Sequence, residues 1–169
     1  MSRQTKRQRI VERVVARMQT ISIENGFQTD AGQLVKKWAA RLDDKTIEAS
    51  PAKCQLSVCD LLDEVSKESK QSKGATHRLR VQVRIFKAKG NADDDLRTII
   101  GDVVDAVGRD VAQNEWPAIL WPDETGKPLA MDTEPSSEGF VIPTEAMEIS
   151  GGAVEFTIVY ATAVFDPYQ

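Results

Sequence analysis

Histidine is almost missing from this chain: His77 is the only one in 169 residues, and cysteine is limited to Cys54 and Cys59. With one imidazole, general acid–base chemistry would rest on carboxylates, and neither a histidine pair nor a four-ligand zinc spacing can be assembled. On a strand, the spacing of the two cysteines would put them on opposite faces, so they read as packing residues rather than a disulfide. No glycine-rich phosphate loop or nucleophile elbow occurs. These absences argue against an enzyme and leave no cofactor to place. Apolar runs are short as well: none approaches the ~20 residues of a membrane-spanning helix. The basic start, residues 1–9, is not followed by the apolar core of a secretory signal. The expectations are no membrane contact and a protein that stays in the cytoplasm where it is made.

What is present is the composition of an ordinary globular protein, 41% hydrophobic and 28% charged, at a length that suits one domain over residues 1–169. The net charge of −4 is unevenly spread. Residues 1–17 hold Arg3, Lys6, Arg7, Arg9, Arg13 and Arg17 against Glu12 alone, so that segment is +5 and the remainder −9. Such asymmetry suits contact with an acidic partner or with nucleic acid.

The most regular alternation lies in residues 140–165, which read as a long β-hairpin. Val154, Phe156, Ile158 and Tyr160 fall on one face of its second arm. Val141-Ile142-Pro143 and Met147-Glu148-Ile149 make the first arm, with Ser150-Gly151-Gly152 at the reversal and Pro143 at an edge or bulge. A second clear strand has Leu79, Val81, Val83 and Ile85 alternating with Arg78, Arg80, Gln82 and Arg84. Its cationic face reads either as a solvent face that discourages edge pairing or as a surface for an acidic partner or DNA.

Two helices are expected. Over residues 5–25, Ile10 or Val11, Val14 or Val15, Met18 and Ile21 recur at helical spacing, with Arg9, Arg13 and Arg17 forming a ridge beside them and Asn25-Gly26 as the stop. The ridge is either a solvated flank or a subunit or nucleic-acid contact. Over residues 93–114, Leu96, Ile99 or Ile100, Val103, Val107 and Val111 make the stripe, and Asp102, Asp105 and Asp110 the polar side. Asp93, Asp94 and Asp95 suit its first turn as dipole partners rather than as metal ligands.

The remaining segments are less regular. Residues 27–38 suggest a bent strand with Gly32 at the irregular point, and residues 46–53 a polar connection. Residues 54–59 read as a short strand ending at Asp60, with a turn or short helix over residues 61–64. Residues 66–73 read as a surface loop, and residues 114–139 as a long excursion anchored by Trp116 and Trp121. Together these give an α+β fold: a four- to five-stranded, mainly antiparallel sheet with two amphipathic helices packed on one face, and long loops.

The order of features resembles a known family. An opening amphipathic helix, the Asn25-Gly26-Phe27-Gln28-Thr29-Asp30-Ala31-Gly32 turn, a valine-rich alternating strand, a second helix and the ending Val159-Tyr160-Ala161-Thr162-Ala163-Val164-Phe165-Asp166-Pro167-Tyr168 resemble the tail terminator proteins of long-tailed bacteriophages, the minor tail protein U type. The resemblance implies a homo-hexameric ring, in some members formed only at high concentration or on the tube. That ring caps the completed tail tube, stops its polymerisation and offers a surface to the head–tail connector or neck protein, with DNA passing through the hole without sequence recognition. It implies a place in the virion tail after assembly in the host cytoplasm, and neither catalytic residues nor a metal. Arg9, Arg13, Arg17, Arg78, Arg80 and Arg84, with the loops at residues 66–73 and 123–139, are the candidate contacts. The alternatives are another neck component, such as a head–tail joining or tail completion protein, and a small nucleic-acid-binding domain. The arginine face lacks the interleaved aromatics that a sheet-surface RNA binder would use.

Overall fold

Alternating apolar residues organise the molecule. The computed structural model describes residues 4–66, 73–88, 93–109, 121–141, 151–163, 166 and 168. In β3 (Gly74–Lys87) the side chains of Leu79, Val81, Val83 and Ile85 are buried, and in β5 (Gly151–Ala163) those of Val154, Phe156, Ile158 and Tyr160. The strands are antiparallel with Val83 opposite Val154, Val81 opposite Phe156 and Leu79 opposite Ile158, so the two apolar rows share a face. β2 (Cys54–Ser66) pairs antiparallel with the other side of β3, and β1 (Val35–Lys37) adds to β2 in parallel. β4 (Asp132–Val141) lies beyond β5. The order β1-β2-β3-β5-β4 makes one mixed, mostly antiparallel sheet in an α+β fold, as the sequence patterns require.

Two helices cover the apolar face. α1 (Lys6–Gln19) starts at a capping box in which Thr5 accepts from the Gln8 amide while the Gln8 side chain accepts from the Thr5 amide. It buries Ile10, Val11, Val14 and Met18, each worth roughly 1.5–3 kcal/mol of apolar transfer. α3 (Asp93–Gly108) buries Leu96, Ile99, Ile100, Val103, Ala106 and Val107 in the same core. A third, short helix, α2 (Asp44–Glu48), occupies part of the expected polar connection, with Asp43 capping it through the Thr46 amide and Ile47 buried. Residues 39–42 then cover the opposite face of β2. Ser57 exchanges hydrogen bonds with the backbone of Ala39, and Gln55 with Ala40 and Leu42.

Both cysteines are free and buried, Cys54 in the main core and Cys59 on the other face beside Ser57. Burial pushes the Cys54 thiol up to about 12, so it stays neutral packing material.

Several elements differ from the sequence-based expectations. β2 does not end at Asp60: a bulge between Asp60 and Leu62 absorbs one residue, and pairing with β3 continues to Ser66, where a helix or turn is expected. α1 ends at Gln19, and Gly26, with φ +82°, closes a separate 3-10 turn (Ile23–Asn25) capped by Ser22. The bent strand over residues 27–38 is replaced by a second 3-10 turn (Ala31–Leu34) followed by the three residues of β1. The first arm of the terminal hairpin is β4, which begins at Asp132 inside the expected excursion, while Gly151 and Gly152 belong to β5 rather than to a turn. Pro135 lies in this edge strand, beside a bulge at Ser136. α3 ends at Gly108, short of the helix expected to Asn114. Expectations for residues 67–72, Asp110, Val111, Trp116 and residues 142–150 lie outside the described residues.

Gly32 has a specific structural reason. A Cβ there would lie 2.7–2.8 Å from the carbonyl oxygens of Met18, Gln19 and Ile21, where the 3-10 turn presses on the end of α1. Gly32→Ala is therefore expected to destabilise the protein by about 1–3 kcal/mol; an unchanged urea midpoint would show that the backbone gives way without cost.

Candidate functional site

The side chains with the most specific environments fall into three groups. The first is the basic ridge of α1. Arg9, Arg13 and Arg17 are half-buried, and the first two grip a compact turn over residues 122–128, which is closed by a bridge between Pro122 and Pro128. Arg9 pairs with Asp123 at 2.8 Å, and Arg13 donates its Nε to the Pro122 carbonyl at 2.6 Å. Arg17 donates to the Ala106 carbonyl at 3.2 Å and lies over the Trp121 ring at 5.7 Å. Trp121 is buried, with φ +47°, its indole donating to Thr133 and its ring stacked on Phe156. The ridge thus joins α1 to the last turn of α3 and to the segment entering β4. It is packed against chain, not a freely solvated flank.

Arg78, Arg80, Gln82 and Arg84 form the second group, on the sheet face away from α1 and α3. They are not an uncompensated cationic strip. Arg78 forms a bidentate pair with Glu134 of β4 and stands opposite Glu64 of β2. Arg80 faces Glu155 of β5 at 3.4 Å, and Arg84 donates to Gln82 at 2.7 Å. Carboxylates from three neighbouring strands turn this face into a mixed-charge ladder, which single-strand reading cannot anticipate because the partners lie 14, 56 and 75 positions away in sequence.

Sequence reasoning missed the third group. His77, at the start of β3, stacks on Tyr160 with ring centroids 4.5 Å apart. Its Nδ1 lies 3.2 Å from both Asp63 oxygens and its Nε2 2.9 Å from the Thr162 hydroxyl. The Tyr160 hydroxyl donates to Asp63 at 2.7 Å, and burial together with that carboxylate pushes the phenol up, keeping it neutral. A threonine–histidine–carboxylate order superficially resembles a nucleophilic relay. Thr162 is buried, however, and every polar tip in the cluster is turned toward another, so the arrangement ties β2, β3 and β5 together. The signal for it was the break in the apolar rows, where His77 continues the row of Leu79 and stands opposite Tyr160.

Asp102 is likewise not on a solvent face. It is buried and accepts from the Gln28 and Thr29 amides and the Thr29 hydroxyl at 2.7–3.0 Å. Arg109 completes that contact by donating to the Asn25 carbonyl and lying 3.3 Å over the Phe27 ring. Among the described residues no group of three or more histidine, cysteine or acidic side chains could hold a metal ion, and no helix is long and apolar enough to cross a membrane.

Against known proteins the sequence alone finds no partner: neither protein-family models nor curated proteins give a match. The fold does. A chain of the virion of the native gene transfer agent (GTA) particle superposes with a TM-score of 0.50 at 13% identity, covering 88% of this chain and 92% of that one. At that identity the likeness establishes a common fold and does not extend to side-chain roles.

The turn gripped by the ridge offers a direct check. Asp123 accepts from the Thr125 hydroxyl and amide and the Lys127 amide, with Arg9 alongside, and these hold its carboxyl down to about 2. A depressed carboxylate contributes stability above its ordinary value of ~3.9 and loses it as the pH falls through the folded value. Asp123→Asn is expected to lower the urea midpoint at neutral pH and to converge on the parent as pH drops from about 4 to about 2. A gap that stays constant across that window would mean that the charge on Asp123 contributes nothing.

Proposed function

We propose that this chain is a structural protein of a phage-like particle and acts as a tail terminator: a ring of copies that caps the finished tail tube, stops its growth and presents a surface to the head–tail connector or neck. The observation that carries the reading is the fold shared with a chain of the GTA virion across most of both sequences. The order of elements that resembles tail terminators supports the same reading. The chemistry is consistent with an assembly role, since the described polar clusters are engaged with one another rather than open around a substrate-sized centre. In this reading the protein is not an enzyme, it uses no cofactor, and it resides in the tail after assembly in the host cytoplasm.

A nucleic-acid-binding role loses its main electrostatic support, because Arg78 and Arg80 already face Glu134 and Glu155. DNA passing through the ring requires no such recognition surface.

Adding the purified protein to growing tail tubes tests the reading. Growth is expected to stop, with one closed ring seen at the tube end by electron microscopy and sedimentation showing a discrete ring species on concentration. Tubes that lengthen normally with the protein present, or copolymerise with it, would overturn the terminator role and leave a different place in the particle.

A further inference from the structure

We draw no further inference here: the strongest candidate, the exposed Trp38 beside the stretch of the β2 edge beyond Val58 that has no strand against it among the described residues, carries nothing because nothing in the structure shows what covers it.

Discussion

Everything else in the molecule depends on burying one face of the β2–β3–β5 sheet beneath α1 and α3. The facing rows of β3 and β5 give a continuous apolar strip, and neither helix has another place to put its own stripe. That constraint fixes where the polar groups must go. α1 lies so close to the 122–128 turn and to α3 that its arginines are half-buried, and a half-buried guanidinium needs acceptors. The clamp is thus a consequence of the core and, once formed, sets the path of the chain into β4. The same pressure explains Gly32, where a turn is pushed onto the end of α1 with no room for a side chain.

Where the apolar strip ends, polar networks take over. Asp63, His77, Tyr160 and Thr162 finish one end of the inner face, and each satisfies another. Asp102 and Arg109 hold the segment after α1 against α3. Both are high-stakes arrangements, since a buried donor or acceptor left without its partner costs about 1–3 kcal/mol. They account for the lone histidine and for a helix-borne aspartate without any reaction.

The parts legible in the sequence were those governed by period alone. Strand β3, strand β5 and the stripes of α1 and α3 follow from spacing, because burial on one face writes itself into local order. The parts that were not legible depend on partners distant in the chain. The continuation of β2 past Asp60 looks like a turn until β3 is set beside it, and β4, with Pro135 and a bulge, has no clean alternation at all. Asp102 reads as a polar-face residue because its acceptor role is defined by amides 73 and 74 positions away. As for the candidate site, the arginines were identifiable as a ridge and a row, but their counter-charges were not. Trp38 was seen only as the end of an expected strand, and its exposure and left-handed backbone are properties of the folded chain.

That last point bears on what this charge distribution does in the folded chain. Read linearly, a +5 segment followed by a −9 remainder suggests strong attraction between copies. In the fold, much of that attraction is satisfied inside one chain: Arg7 meets Asp60, Arg9 meets Asp123, and Arg78 and Arg80 of β3 meet Glu134 and Glu155. Charges paired at home contribute little to long-range steering and are screened further at physiological salt. If copies assemble as proposed, recognition between them would rest on short-range contacts rather than on the net charge of either segment. Contacts of that kind are weak until several act together, so the proposed association would depend on local concentration, which gathering on a tail-tube end would raise.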